Sequence, residues 1–208
     1  DSIVGGSLSE YINGAAGSDT ITGGAGDDLI VGGSGNDTLS GGTGNDRFYV
    51  DSALDAVSEL AGAANGFDSI FATTSFTIAA NVERLFLQGS GNFSATGRDG
   101  QNDIIAGNSG NNILDGKSGS DNMTGGNGND SYHVNTSADV INEAAGAAAG
   151  TLDTIFAQTS FTNAANVERL FLLNGGNYNA NGRNGQNDFL AGNDGANIIN
   201  GFSGNDTI

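Results

Sequence analysis

The sequence contains no cysteine and no proline in its 208 residues. Without cysteine, the chain has no disulfide framework, no thiol chemistry and no Cys-ligated zinc. The absence of proline is unusual for a chain with many turns. It is consistent with a backbone whose N–H groups are nearly all needed for hydrogen bonds between strands. The sequence also has no run of 18 apolar residues, so it predicts no membrane-spanning helix.

Basic residues are scarce, because six Lys and Arg stand against 24 Asp and Glu and give a formal net charge of −18. Such a surface repels nucleic acid and anionic lipid, so we expect no nucleic-acid partner. Glycine is abundant at 36 residues, but it follows no Gly-X-Y period, which excludes collagen. Low hydrophobicity with high charge would favour disorder. The acids, however, are spaced by nine residues rather than clustered, which favours a metal-neutralised fold.

The most regular stretch is residues 14–49, which form four consecutive nine-residue units, GAAGSDTIT, GGAGDDLIV, GGSGNDTLS and GGTGNDRFY. In each unit Gly stands at positions 1 and 4, Asp at position 6 and an apolar residue at position 8. Glycines at positions 1, 2 and 4 allow positive φ and let carbonyl groups turn toward one point. Position 6 adds a carboxylate, and six to eight hard oxygen ligands in a flexible loop are what Ca²⁺ selects. The last three residues of each unit predict a short strand.

These units resemble the GGxGxDxUx nonapeptides of the RTX (hemolysin-type) calcium-binding family. The resemblance implies an all-β, right-handed parallel β-roll or β-solenoid, with several Ca²⁺ ions between stacked Gly/Asp-rich loops. In that family two units make one coil. This implies that Asp19 pairs with Asp37 and that Asp28 pairs with Asp46, each two units later. A turn-plus-strand unit cannot bury its apolar residue alone, so copies must stack.

Further units occur along the chain with departures from the pattern. In the unit that starts at Gly5, Glu10 replaces the position-6 Asp, and we expect a weaker site there. One extra residue precedes Asp103. Asn stands at position 6 in two units, as Asn112 and Asn197, and its amide oxygen coordinates without charge, which predicts weaker sites.

Carried over position by position, the resemblance implies metal ligands at position 6 and at the position-1 glycines. The position-6 residues are Asp1, Asp19, Asp28, Asp37, Asp46, Asp103, Asn112, Asp121, Asp130, Asp188, Asn197 and Asp206. The position-1 residues are Gly14, Gly23, Gly32, Gly41, Gly107, Gly116, Gly125, Gly192 and Gly201.

The chain is also a repeat of longer modules of about 85 residues. NVERLFL occurs at residues 81–87 and again at 166–172, and GQND recurs at the same offset. We therefore predict three calcium blocks separated by two β-rich spacers. Their bounds are 1–49 (calcium block 1), 50–96 (spacer 1), 97–133 (calcium block 2), 134–181 (spacer 2) and 182–208 (calcium block 3).

The spacers carry short apolar segments that predict strands, and the spacing of Leu54, Val57 and Leu60 allows a short helix within residues 53–61. Two architectures fit: one continuous solenoid, or β-rolls separated by small, independently folded β-domains. The aromatic residues Tyr49, Phe71, Phe86, Phe156 and Phe171 are interpreted as stacked core residues.

The sequence patterns that could indicate a catalytic site are weak. His133 is the only histidine, and it has neither an HExxH motif nor a second histidine, which favours a solvated strand residue over a zinc ligand. The repeated pairs Glu83-Arg84 and Glu168-Arg169 are interpreted as strand pairs with one member facing outward. We expect that the chain is not an enzyme.

The sequence favours a calcium-dependent structural or adhesive segment of a secreted bacterial fibre, surface layer or adhesin at the cell surface. RTX proteins commonly leave the cell by type I secretion. The alternative is the C-terminal secretion and folding module of an RTX protease, lipase or epimerase whose catalytic domain lies outside this chain. Both ends lie inside motifs, which favours a fragment of a longer array over filaments of copies stacked end to end. End-to-end stacking would complete half-sites at Asp1 and Asp206.

Overall fold

The structure is a computed structural model of the chain, and it describes residues 1–61, 66–144 and 152–208. None of the described residues is helical, so this part of the chain offers no helix that could cross a membrane. The chain divides into two compact units, Asp1–Gly89 and Ser90–Ile208. The division falls within spacer 1.

The first unit is built from short strands that alternate between two parallel sheets. One sheet has the order β1-β3-β5-β7, and the other contains β2-β4-β6-β8-β10. Because consecutive strands go to different sheets, two nonapeptides make one coil. The strands are β1 (Ser2–Val4), β2 (Tyr11–Asn13), β3 (Thr20–Ala25), β4 (Leu29–Val31), β5 (Thr38–Thr43), β6 (Arg47–Val50), β7 (Ala56–Ser58), β8 (Ser69–Ala72), β9 (Phe76–Thr77) and β10 (Arg84–Leu87).

The register of these sheets follows the repeat. Thr20 pairs with Thr38 and Ile21 with Leu39, two nonapeptides later. The position-8 side chains therefore stack directly on one another between the two sheets, and the residues on either side point away from the interior. Each unit of the repeat buries its apolar residue only through its neighbours. The buried position-8 residues of block 1 are Ile12, Ile21, Ile30, Leu39 and Phe48.

The second unit has the same parallel arrangement in three sheets. Their orders are β12-β14-β16, β11-β13-β15-β17-β19-β21 and β18-β20-β22. Each unit is thus an all-β parallel β-solenoid, as the sequence predicts. The strands are β11 (Ser94–Thr96), β12 (Ile104–Ala106), β13 (Ile113–Asp115), β14 (Asn122–Thr124), β15 (Ser131–Val134), β16 (Val140–Asn142), β17 (Thr154–Ala157), β18 (Phe161–Thr162), β19 (Arg169–Leu172), β20 (Asn179–Asn181), β21 (Phe189–Ala191) and β22 (Ile198–Asn200).

The spacers extend the solenoid inside each unit. In the first unit Phe48 of the calcium block pairs with Ile70 of the spacer, which pairs in turn with Leu85. In the second unit Tyr132 pairs with Ile155 in the same way. All of these side chains are fully buried. The spacers therefore share the hydrophobic interior of the calcium blocks, which favours the solenoid over separate small domains.

Two expectations about the spacers are wrong in detail. The helix within residues 53–61 is replaced by β7, because Val57 continues the stack by pairing with Leu39. The aromatic residues do stack, since the ring centroids of Tyr49 and Phe71 lie 4.9 Å apart. They do so on the outer face, where Tyr49 is 39% exposed, because they follow the inward-pointing position 8. His133 belongs to the second such stack, 5.3 Å from the ring of Phe156.

Candidate calcium site

The loops that join the strands place a position-1 glycine against the position-6 carboxylate of the same unit. A methyl group on Gly14 would lie 2.5 Å from Oδ2 of Asp19 and 2.5 Å from the carbonyl oxygen of Gly32. Position 1 requires glycine because these oxygens converge there. A positive φ is not the reason, since Gly14 is absent from the residues with a left-handed backbone. The interpretation of position 1 by its φ is corrected accordingly.

Position 6 forms a ladder along the coil. The backbone N–H of Asp19 donates to Oδ1 of Asp37 at 2.9 Å, and the N–H of Asp28 donates to Oδ1 of Asp46 at 2.7 Å. The same contact joins Asn112 to Asp130 at 2.7 Å in the second unit. These are contacts between units 18 residues apart. One carboxylate oxygen of Asp37, of Asp46 and of Asp130 is thus occupied by the preceding coil.

In six turns the second carboxylate oxygen is buried and accepts no hydrogen bond. We call these the open turns, and their aspartates are at most 2% exposed. A buried carboxylate oxygen without a partner is unfavourable. Together with the nearby carbonyl of the next coil, it offers hard oxygen ligands that suit Ca²⁺. The residues present therefore fit a calcium ion. The open oxygens are Oδ2 of Asp19, Asp28, Asp37, Asp46, Asp121 and Asp130.

In four other turns a side-chain oxygen of position 6 accepts a hydrogen bond from its own loop. We call these the closed turns, and in each the position-2 N–H donates to position 6. The donor–acceptor distance is 2.7 Å for Arg98 to Asp103 and for Asn108 to Asn112. It is 2.7 Å for Arg183 to Asp188 and 2.8 Å for Asn193 to Asn197. Glu10 accepts from Gly6 similarly, at 3.3 Å.

The two kinds of turn differ in the backbone of position 2. In every open turn the position-2 residue has a positive φ, between 62° and 115°. No closed turn has one there. The left-handed backbone is found even where position 2 is not glycine, at Ala15 and Lys117, where it is strained. An open turn thus keeps its N–H off the carboxylate and leaves that oxygen for another ligand.

The electrostatics of the open turns match this interpretation. Burial, reinforced by neighbouring carboxylates, raises the pKa of Asp121 and of Asp130 to about 7. Burial likewise raises the pKa of Asp28 and of Asp46. Rows of buried carboxylates repel one another without a cation, and a divalent ion removes that repulsion.

The profile of the RTX calcium-binding nonapeptide repeat matches four segments of the chain, residues 4–39, 27–53, 99–132 and 184–208. Together these segments cover just over half of the sequence. The chain belongs to the RTX calcium-binding nonapeptide repeat family. This confirms the resemblance inferred from the spacing of Gly and Asp. No curated protein matches the sequence.

Acids outside the RTX segments join the same ladder, and the sequence did not identify them. In the first unit the N–H of Asp46 donates to Oδ1 of Asp68 at 2.6 Å, and the N–H of Asp68 donates to Oε2 of Glu83 at 2.8 Å. In the second unit Asp130, Asp153 and Glu168 repeat these contacts. A signal was present, because each acid directly precedes a spacer strand and recurs in both modules.

Most of the residues that the resemblance implies as ligands lie in the loops between the strands. At position 1, Gly14, Gly23, Gly32, Gly41, Gly116, Gly125 and Gly201 face Oδ2 of their own unit's Asp, while Gly107 and Gly192 face the Asn oxygen. Asp206 accepts the N–H of Asp188 at 2.9 Å. The backbone nitrogen of Asp1 donates to Oδ1 of Asp19, while the Asp1 residue itself is exposed.

Proposed function

We propose that this chain is a calcium-dependent structural segment of a secreted bacterial fibre, surface layer or adhesin, and that it folds when calcium binds. It lies outside the cell, where calcium is plentiful. The module of about 85 residues, repeated within the chain, supports an extended structural role. We propose that its buried carboxylates serve as ladder acceptors and calcium ligands rather than as catalytic groups.

The main support for this proposal is the row of open oxygens. Six buried carboxylates each hold one oxygen that no protein donor satisfies. In the closed turns a loop N–H donates to the position-6 side chain. The open turns instead leave buried carboxylate oxygens along the coil that require a positive charge.

Calcium, when bound, supplies two positive charges and accepts six to eight oxygen ligands. The chain's own part is to bring position-6 carboxylates and position-1 carbonyls of neighbouring coils together. With a net charge of −18 the metal-free chain repels itself. In calcium-poor cytosol it stays unfolded and fit for export. In millimolar external calcium, sites with Kd of about 10⁻⁴–10⁻³ M fill and the solenoid forms.

Far-ultraviolet circular dichroism tests the coupling of metal to fold. We expect β-structure to appear when calcium is added and to disappear when EGTA removes it. Magnesium at the same concentration is the control, and it should be a poor substitute because it demands near-octahedral geometry and loses water reluctantly. A β-sheet spectrum that is unchanged by EGTA would contradict the proposal.

End-to-end self-association is a separate part of the proposal. Electron microscopy of the purified chain with calcium should show filaments that dissolve in EGTA. Monodisperse particles at all calcium concentrations would count against self-association and leave only the structural segment.

A further inference from the structure

A cluster of three carboxylates stands where calcium block 2 meets spacer 2. One oxygen from each of Asp130, Glu143 and Asp153 lies within 4.8 Å of the others. Only Asp130 belongs to a matched nonapeptide, since the match ends at residue 132. The other two come from the spacer, where the repeat pattern assigns no ligand.

Strand register brings these residues together. Asp130 directly precedes β15 and Asp153 directly precedes β17, and these strands pair as Ser131 with Thr154. The N–H of Asp130 donates to Oδ1 of Asp153 at 2.6 Å. Glu143 follows β16, which places its carboxylate beside the same turn. The spacer thus contributes two acids to the last coil of the calcium block.

The cluster contains oxygens that have no protein partner. Asp130 is 0% exposed, and its Oδ2 accepts no hydrogen bond. Oε2 of Glu143 is also buried and without a partner, while its Oε1 accepts the hydroxyl of Tyr132 at 2.6 Å. A methyl group on Gly125 would collide with Oδ2 of Asp130, Oε1 of Glu143 and the Tyr132 hydroxyl. Three oxygens therefore surround the space beside Gly125, which has no side chain to fill it.

The corresponding position in the first unit is built differently. There Glu59 takes the place of Glu143, and its two oxygens accept from the N–H groups of Gly41 at 2.8 Å and Gly42 at 3.1 Å. Phe48 stands where the second unit has Tyr132. The backbone satisfies Glu59, whereas Glu143 keeps one oxygen free.

We propose that Asp130, Glu143 and Asp153 form a cation site for a hard divalent ion of the calcium class, in which the spacer supplies two of the three carboxylates. The site fastens spacer 2 to calcium block 2. It rests on the calcium chemistry of the proposed function, but it assigns ligands outside the nonapeptides.

Terbium luminescence tests the site, because Tb³⁺ occupies oxygen-ligand calcium sites and is sensitised by nearby tyrosine. The chain has four tyrosines and no tryptophan. Tyr132→Phe should lose the part of the tyrosine-sensitised emission that comes from this cluster, while binding as many ions. It should still fold, because Phe48 fills the equivalent position in the first unit. Tyr178→Phe, the control, should keep the emission.

Equilibrium dialysis with calcium counts the ions. Glu143→Gln should bind one ion fewer per chain, or bind it with a clearly weaker affinity. Glu59→Gln, the matched control, should leave the count unchanged. An unchanged count and affinity in Glu143→Gln, or full emission from Tyr132→Phe, would overturn the site.

The outcomes separate this site from the proposed function. If the wild-type chain binds calcium and folds with it while both variants behave as wild type, the spacer site is wrong and the proposed function stands. If the wild-type chain binds no calcium, both fail. Should Glu143→Gln not fold, Asp153→Asn replaces it in the dialysis and should also bind one ion fewer, and an unchanged count would overturn the site.

Discussion

The open and closed turns of this chain differ in how they satisfy the oxygens of the position-6 side chain. In both, the backbone N–H of position 6 donates to the position-6 side chain of the next coil, as Asp19 does to Asp37 in an open turn and Asp103 to Asp121 in a closed one. They differ in what the position-6 side chain itself accepts. An open turn leaves one buried carboxylate oxygen without a hydrogen bond, whereas in a closed turn the side chain accepts an N–H of its own loop. Position 6 is therefore structural in both kinds of turn, and the loop N–H distinguishes them.

The closed turn at Asn112 shows what replaces the ion. Its amide Nδ2 donates to the carbonyl oxygens of Gly91 and Phe93, each at 3.3 Å, and its Oδ1 accepts from Asn108. A neutral hydrogen bond contributes about 0.5–1.5 kcal/mol net. Two or three such bonds hold the loop without metal. We infer that asparagine at position 6 makes a turn less dependent on calcium.

The largest effect is expected from Asp37→Ala. The change removes a buried carboxylate that binds the Asp19 N–H and offers the open oxygen. Hydrogen bonds to charged groups contribute about 1.5–3 kcal/mol, so with the lost ligand we expect a cost of about 3 kcal/mol in calcium. Urea unfolding with saturating calcium measures it.

Asn112→Ala is the comparison for that experiment, and exposed Asp194→Ala is the control. Asn112→Ala should cost less than Asp37→Ala and should cost the same with or without calcium. The cost of Asp37→Ala should shrink in EGTA. If the two variants respond equally to calcium, the distinction between open and closed turns is wrong.

A smaller loss is expected from Gly14→Ala. The added methyl group would meet Oδ2 of Asp19 and the carbonyl oxygen of Gly32, each at 2.5 Å. Forcing an extra methyl group into a packed site costs about 1–3 kcal/mol, and here it also obstructs the cation. Calcium titration followed by circular dichroism should give a higher midpoint.

The control for Gly14→Ala is Gly175→Ala, where nothing lies within 4 Å of the added group and φ is not positive. It should fold at the wild-type calcium concentration. An equal shift in both variants would show that glycine at position 1 matters only for backbone freedom.

The next largest effect is expected from pH. A fall in pH should weaken calcium binding, but it should stabilise the fold in the absence of calcium. Burial raises the pKa of Asp130 to about 7 and that of Glu143 to about 8. Protons and calcium compete for these carboxylates. Lowering the pH from 8 to 6 should therefore raise the calcium midpoint, about tenfold per pH unit for each proton displaced.

Without calcium the same raised pKa values favour the folded state at lower pH. The folded state binds these protons more tightly than the unfolded chain, whose carboxyl groups titrate near about 4. Any residual stability of the metal-free fold should therefore increase as the pH falls from 8 toward 4. Urea unfolding in EGTA across this range measures it, and a decrease in stability would contradict the assignment of buried, unpaired carboxylates.

The sequence predicted the repeat and several of the units that depart from it, but it did not predict the loop geometry of the closed turns. The 18-residue register of Asp19 with Asp37 was implied by the resemblance to the RTX family, in which two nonapeptides make one coil, and the structure has that register. The closed loop at Asp103 depends on the backbone conformation of Arg98, which residue types do not reveal. Val57 fell near helical spacing, yet it is a strand residue, because the neighbouring coil offered it an unpaired edge.

The smallest effect in calcium, and the sharpest test of the comparison, is expected from Asn112→Asp. A carboxylate cannot donate to the carbonyl oxygens of Gly91 and Phe93 as the amide does. Without metal the variant should therefore lose about 1–3 kcal/mol, the cost of leaving buried groups unsatisfied. In saturating calcium the new charged ligand offsets that loss, so its stability should return close to wild type. Paired urea unfolding in calcium and in EGTA gives both values, with Asn111→Asp, an exposed neighbour, as the matched control. A loss of the same size in both conditions would show that the Gly107 loop cannot be converted into an open turn by its position-6 residue alone.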